Sequence, residues 1–317
     1  MRMTMTEPAG FHGIDIGGTK IELASYDAGL REMHRERIAT PGEDITAFTE
    51  AVCALVWRAD AALGAEAPVG IGLPGVTDGI SGRQLSSNVP ALNGREVRAM
   101  LQDALARPVV TGNDCQCFAL SEADGGAADG LSTMFGVILG TGAGAGYCVD
   151  GSLLRGRNGI AGEWGHWPLP ATLAARYGLD LIPCPCGRTA CLERYVSGPG
   201  MQRLHRHLGG DGAEPFAIAA RANAGDEIAR RTLEVHLDLL AHGLACVVLG
   251  LDPHAIVLGG GLSKLPHLYR DLPEALRRHL FAGAHPPPVL PPRFGDAGGV
   301  RGAALLIRQQ LKDFATP

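Results

Sequence analysis

Lysine is almost missing from this chain: of 28 basic residues only Lys20, Lys264 and Lys312 are lysines. The residues before them are Thr19, Ser263 and Leu311, so no Gly-Lys-Ser/Thr triplet exists and a P-loop is excluded. No apolar stretch approaches the ~20 residues of a membrane span, the longest lying around 135–139 and 244–251. Blocks of like charge are absent too, and a net charge of −5 argues against a nucleic-acid or anionic-membrane partner. Residues 1–11 carry one arginine and no apolar core, unlike a signal peptide, which points to the cytoplasm. The eight cysteines do not form the dense framework of a small secreted domain. Cys53, Cys148 and Cys246 sit in apolar contexts as small hydrophobes. Cys184, Cys186 and Cys191 fall within eight residues, which is a different pattern.

What the chain has in excess is glycine, 45 residues of 317, about twice the usual ~7%. The glycines cluster at 13–18, 70–75, 136–146 and 259–261, mostly just after short aliphatic runs, where they let backbone approach a ligand. Two segments repeat one plan 123 residues apart: Gly13-Ile-Asp-Ile-Gly-Gly-Thr-Lys20 with its continuation to Asp27, and Gly136-Val-Ile-Leu-Gly-Thr-Gly142 with its continuation to Asp150. Each reads as strand, Gly/Thr turn and returning strand, so two related lobes are expected.

Helical spacing appears at 43–63, 96–106, 115–123, 228–251 and 300–312, and short strands at 69–73, 108–111 and 255–258. At ~100–200 residues per domain the length fits two α/β domains. The expected boundaries are 1–117, with 297–317 returning to it, and 118–296.

Gly140-Thr-Gly142-Ala-Gly144 fits the loose dinucleotide fingerprint, but that fingerprint opens a helix and the residues from Gly146 read as a strand. A Rossmann site is therefore rejected. The two Gly/Thr turns remain either plain hairpins or backbone cradles for anionic oxygens, and together with the third glycine run they favour a nucleotide. Asn113-Asp114 follows a strand and precedes a helix. That pair is a helix cap, or it places a carboxylate at a strand's carboxyl end to accept a hydroxyl proton; the residues alone decide neither.

Gly162-Glu163-Trp164-Gly165-His166 and Cys184-x-Cys186-x₄-Cys191 supply one His and three Cys, the set of a closed tetrahedral zinc site. Glu163-x-x-His166 lacks the preceding His of a zinc protease, with Gly162 in its place. Four protein ligands leave no open position, so the metal is expected to be structural. Glu193 stands two residues beyond the last Cys.

Together, Asp15-Ile-Gly-Gly-Thr-Lys20, Asn113-Asp114, Leu139-Gly-Thr-Gly-Ala-Gly144, Gly162-Glu-x-Gly-His166, the cysteine segment and Gly259-Gly-Gly261 resemble the ROK family of sugar kinases and repressors, in family order from about residue 12 to 307. The resemblance implies an actin/hexokinase-like (ribonuclease H-like) α/β fold of two lobes with an interlobe cleft. It implies ATP with Mg²⁺, a structural Zn²⁺ on His166, Cys184, Cys186 and Cys191, and Asp114 as the catalytic base. Sugar contacts carry onto Gly75, Asn88, Asn113, Asp114, Glu163, His166 and Glu193. Nucleotide contacts carry onto Asp15, Gly17, Gly18, Thr19 and Lys20, onto Gly140, Thr141, Gly142, Ala143, Gly144 and Gly146, and onto Gly259, Gly260 and Gly261. Asp15 would organise the Mg²⁺.

Within the family, Asn88-Val-Pro90, Cys117-Phe-Ala-Leu-Ser-Glu122 and the long stretch from His166 to Cys184 resemble bacterial N-acetyl-D-glucosamine kinases. Phosphorylation of N-acetyl-D-glucosamine on its 6-hydroxyl is the expected reaction, with N-acetylmannosamine, glucose or fructose as other sugars. A sugar-sensing repressor is the distant alternative, because about a dozen residues precede the Asp15 motif, too few for a helix-turn-helix domain. A homodimer without nucleic-acid or membrane partners is implied. Ala190 before Cys191, Ala145 in the second glycine run and Cys115-Gln116 after Asn113-Asp114 depart from the family's pattern.

Overall fold

The structure is a computed structural model that describes residues 8–85, 89–295 and 298–315. Its strands are β1 (Gly10–Ile16), β2 (Lys20–Asp27), β3 (Glu32–Ala39), β4 (Val69–Leu73), β5 (Val76–Thr77), β6 (Gln84–Leu85), β7 (Val109–Asn113), β8 (Thr133–Leu139), β9 (Ala143–Val149), β10 (Ser152–Leu153), β11 (Ala255–Gly259) and β12 (Val289–Leu290). Its helices are α1 (Ile45–Leu63), α2 (Val97–Leu105), α3 (Asp114–Ala123), α4 (Ala171–Tyr177), α5 (Glu193–Val196), α6 (Gly198–His207), α7 (Pro215–Asn223), α8 (Glu227–Leu251), α9 (Pro266–Arg277) and α10 (Gly298–Ala315). The chain forms two compact units. One runs to Ser121 and takes in Ser152–Ala161 and the C-terminal helix; the other comprises Glu122–Gly151 and Gly162–Gly295.

In the first unit the sheet order is β3-β2-β1-β4-β7. The hairpin pairs are antiparallel, while β1 with β4 and β4 with β7 are parallel. Helix α1 begins where Asp44 accepts the N–H groups of Thr46 and Ala47, and it ends at left-handed Gly64. The residues that predicted it, Phe48, Val52, Leu55 and Val56, are all fully buried, worth roughly 1.5–3 kcal/mol each. On the C-terminal side of the chain, α10 lies backbone against backbone on the sheet. A Cβ at Gly13 would sit 2.0 Å from the Val300 carbonyl oxygen and one at Gly70 1.8 Å from that of Ala303, so only glycine admits the helix there.

A Ser–His–Asp line in this unit is structural. His12 bonds Ser25 Oγ and Asp60 Oδ1, each at 2.9 Å, and both Ser25 and His12 are fully buried, so no substrate reaches the hydroxyl.

The second unit repeats the plan. β8 and β9 form an antiparallel hairpin, and β11 and β12 continue from β8 in parallel. The two glycine-turn hairpins inferred from the repeat are β1–β2 and β8–β9. Around this sheet α8 is the central core helix. It is long and apolar enough to cross a membrane by composition, and 61% of that window is buried inside the protein, where side chains such as Leu239, Leu240 and Leu244 are fully enclosed.

His236 on α8 is fully buried and donates to the Val196 carbonyl at 2.9 Å, which ties α8 to α5. Burial pulls its pKa down to about 4 against that hydrogen bond. A base whose pKa falls on folding is protonated more readily in the unfolded chain. Its stabilising contribution is complete above about pH 6.5 and is lost as pH falls toward 4, amounting to roughly 3 kcal/mol. Thermal melts between pH 7 and 4.5 are expected to fall less steeply for His236→Leu than for the natural protein, and parallel pH slopes would refute the assignment.

Candidate active site

β7 and α3 present the Asn113-Asp114 pair. The strand runs two residues beyond the expected end, so Asn113 closes β7 and Asp114 opens α3. Of the two roles left open by the residues, the structure assigns the cap. Asn113 is the cap: its Oδ1 accepts the Cys115 N–H at 2.8 Å and its Nδ2 donates to the Gly75 carbonyl at 2.8 Å. Asp114 Oδ1 also accepts the Cys115 N–H, at 2.9 Å, and the residue keeps an accessible face. Burial pushes the Asp114 carboxyl up, opposed by the Cys115 N–H. Asp15, on β1, is pushed up to about 7, by burial first and then by the like charges of Asp114 and Glu22, with Lys20 pulling the other way. Two carboxyl groups in mutual electrostatic reach, both raised by their surroundings, suit a site that receives a metal-bound phosphate.

The first Gly/Thr turn joins β1 to β2. The Gly17 N–H donates to the Lys20 carbonyl at 2.9 Å, Thr40 Oγ1 donates to the Gly17 carbonyl at 2.8 Å, and Gly18 and Thr19 are exposed at the tip. The Lys20 ammonium stands 3.8 Å from Glu22. Gly75 has φ +83° and meets Asn113 through its carbonyl. Asn88 lies outside the described residues.

In the second unit the glycine turn is shorter than expected. The β9 strand begins at Ala143, three residues before Gly146, so the turn is Gly140-Thr141-Gly142 and Ala143, Gly144 and Gly146 are strand residues paired with Leu139, Ile138 and Gly136. Ala145 is likewise buried in β9, so it does not interrupt the turn. The third glycine run abuts this turn: Gly260 has φ +77°, and a Cβ there would lie 2.6 Å from the Leu139 carbonyl oxygen. Gly259 ends β11, and Gly261 opens the short helical turn Gly261–Lys264.

The Gly162-Glu-Trp-Gly-His166 segment lies flat on β9. A Cβ at Gly165 would sit 1.9 Å from the Ala143 carbonyl oxygen, and Trp164 fills the core behind it. His166, Cys184, Cys186 and Cys191 come together, with one donor atom from each lying within 4.8 Å of the others. Cys186 and Cys191 sulfurs are 3.6 Å apart, and His166 Nδ1 is 4.0 Å from Cys184 Sγ. At a Zn–S distance of ~2.3 Å, two sulfurs of a tetrahedron stand about 3.8 Å apart, so both the donor chemistry and the spacing fit Zn²⁺.

His166 turns its other nitrogen away from the thiols, Nε2 lying 3.6 Å from Glu163 Oε2. Glu193 opens α5, where its Oε1 accepts from the Cys184 thiol at 3.2 Å and its Oε2 accepts the Ala143 N–H at 3.4 Å. A Cβ at Gly142 would be 2.8 Å from that Oε2, so the carboxylate packs directly on the turn. Glu193 thus touches both the cysteine cluster and the glycine turn. Ala190, where the resemblance led glycine to be expected, holds φ +59°, a left-handed conformation costing an L-residue roughly 1–2 kcal/mol.

The sequence motifs gave Gln116 no role, yet it joins two segments here. Gln116 Oε1 accepts the Asn113 N–H at 3.2 Å while its Nε2 donates to the Gly159 carbonyl at 2.9 Å. The spacing Asn113-x-x-Gln116 is that of a capping box and was the available signal.

Comparison with known proteins accords with this arrangement. The family pattern of the ROK family matches residues 11–310. The N-acetylgalactosamine kinase AgaK of Shewanella sp. (strain ANA-3) is 46% identical over 296 residues, covering 93% of this chain and 96% of its own. The N-acetyl-D-glucosamine kinase of Photobacterium profundum is 40% identical over 298 residues, covering 93% and 98%. Among solved structures, the ROK hexokinase from Thermus thermophilus superposes with a TM-score of 0.86 at 32% identity, over 96% of this chain and 99% of that one. The ROK family glucokinase from Streptomyces griseus, in complex with glucose and AMPPNP, gives a TM-score of 0.73 at 28% identity over 95% and 99%. With the hairpins, the Asn113-Asp114 junction and the cysteine cluster falling where that family's sequence pattern runs, this chain belongs to the ROK family and is one of its sugar kinases.

Proposed function

We propose that the protein transfers the γ-phosphoryl group of Mg-ATP to the 6-hydroxyl of N-acetyl-D-glucosamine, giving N-acetylglucosamine 6-phosphate. The observation that carries this reading is Asp114, a carboxyl where the parallel strand β7 passes into α3, held above the ordinary aspartate value by burial. Phosphoryl transfer passes through a loose transition state, so positioning and charge neutralisation dominate. Asp114 accepts the hydroxyl proton as the phosphoryl group arrives. Asp15 would hold the Mg²⁺, which supplies the neutralising charge that a P-loop lysine supplies elsewhere. The Gly/Thr turns offer backbone N–H groups to phosphate oxygens, and Gly259–Gly261 lies on the adenosine side.

Sugar hydroxyls fall to Asn113, Glu163, His166 Nε2 and Glu193. A structural Zn²⁺ on His166 Nδ1, Cys184, Cys186 and Cys191 would fix the His166 ring, since a metal on one nitrogen sets the orientation of the other.

The relatives support an N-acetylhexosamine as the substrate class, with several named as N-acetyl-D-glucosamine kinases. The 46% identical relative named for N-acetylgalactosamine favours a second reading, the epimer at C4, which the sequence motifs did not suggest. An assay of ADP release with Mg-ATP across N-acetylglucosamine, N-acetylgalactosamine, N-acetylmannosamine, glucose, mannose and fructose separates them. N-acetylglucosamine is expected to lead in kcat/KM by roughly tenfold or more, a margin one polar contact can supply, with NMR placing the phosphate on O6. A lead by N-acetylgalactosamine would select the second reading, and no turnover of any sugar would overturn both.

A further inference from the structure

We propose that Gln116 is a positioning residue that fastens the catalytic end of α3 to the segment leading into Glu163. It is 5% exposed, and both ends of its amide are used within the first unit. Oε1 accepts the N–H of Asn113, the residue that caps α3, and Nε2 donates to the Gly159 carbonyl. Only this amide orientation matches a donor to a carbonyl and an acceptor to an N–H at once.

Gly159 belongs to a self-closed loop. Its N–H donates to the Gly156 carbonyl at 3.4 Å, and the Ala161 N–H to the Arg155 carbonyl at 3.3 Å. Arg155 itself donates to the Thr111 carbonyl on the edge strand β7 at 3.1 Å. The loop is thus strapped to the β7–α3 junction at two points. Four residues beyond Gly159 the chain reaches Glu163. One side chain therefore ties the residue that caps α3, next to the base, to the first-unit loop from which the chain runs on to Glu163. Displacements of about 1 Å in such groups cost up to ~10²-fold in rate, so the tether has kinetic consequences beyond helix stability.

The proposal rests on Asp114 and Glu163 serving the sugar, and its test separates the two ideas. Gln116→Glu keeps an acceptor for the Asn113 N–H but cannot donate to Gly159, whereas Gln116→Leu loses both bonds. Both variants are expected to raise the sugar KM by roughly tenfold or more while leaving the ATP KM within about twofold. Both variants should melt below the natural protein, Gln116→Glu because it sets a buried carboxylate against the Gly159 carbonyl. In hydrogen exchange on the full chain, residues 155–163 should lose protection in Gln116→Glu while α3 keeps its own. A residue that is merely a cap predicts the opposite: Gln116→Glu restores both melting temperature and sugar KM, and that result overturns the proposal. If the natural protein turns over no sugar, the kinase reading fails by itself, and unchanged exchange at 155–163 in Gln116→Glu still overturns the tether.

Discussion

Asp114→Asn is expected to fold and to lose between about 10² and 10⁴ in kcat, the range usual for removing a general base. The amide keeps the size and the acceptor that meets the Cys115 N–H, so the cap at Asn113 and the start of α3 stay in place. What disappears is the capacity to take a proton. The sugar KM should change little, because the lost interaction forms as the hydroxyl proton moves. Stability should not fall with activity. Burial raises the Asp114 carboxyl, so above its folded pKa the charged form opposes folding, and a neutral amide removes that cost.

Melting near pH 8 should therefore occur at an equal or higher temperature in the variant, a trade of stability for function seen at many active sites. The raised Asp114 carboxyl, together with Asp15 at about 7, shapes the acidic side of the pH profile of the natural enzyme. Activity rises with pH as Asp114 loses its proton, with an acidic limb above the ordinary aspartate value of about 3.9. A variant that retains most of its kcat, or an acidic limb at or below about 3.9, would remove Asp114 from its role.

The second large effect is expected from removing a metal at the His166–cysteine cluster. Purified protein is expected to carry one Zn²⁺ per chain, and either a strong chelator or Cys191→Ser should raise the sugar KM by roughly 10–100-fold, the usual scale for disturbing a ligand's orientation. The route of that effect is short. His166 Nδ1 faces the thiols and Nε2 faces Glu163, so releasing one nitrogen lets the other swing away. Glu193 stands beside the same cluster, with one carboxylate oxygen next to Cys184 and the other accepting the Ala143 N–H beside the glycine turn. The melting temperature should fall as well, because binding free energy at a structural site is folding free energy. Protein that purifies without metal, or a metal-free form with unchanged sugar KM, would show that the cluster is only a packing of thiols.

Both effects concern residues that stand out in the sequence, whereas several other features of the fold do not. Helix α9 carries Pro273 in its interior, and α6 opens Gly-Pro-Gly, so breaker residues hide two helices that tertiary packing stabilises. The second glycine run reads as a longer turn because its glycines look alike, yet pairing with β8 draws Ala143, Gly144 and Ala145 into the strand. Strand pairing is a long-range property, and composition within the run does not record where it begins.

What the residues determined by themselves was chemical and local. Three lysines excluded a P-loop, the Cys-x-Cys and Gly-Glu-x-Gly-His spacings specified a donor set, and the period of Phe48, Val52, Leu55 and Val56 specified a helix face. Such features depend on residue type and on neighbours within a few positions. Only the tertiary structure decided which nitrogen of His166 faces the thiols, that Glu193 reaches both the cysteine cluster and the glycine turn, that Ala190 bears the strain of a glycine position, and that Gln116 holds Gly159. Each of these joins groups far apart in the chain or depends on a backbone angle. Orientation and burial, which set them, arise only when the whole core has packed.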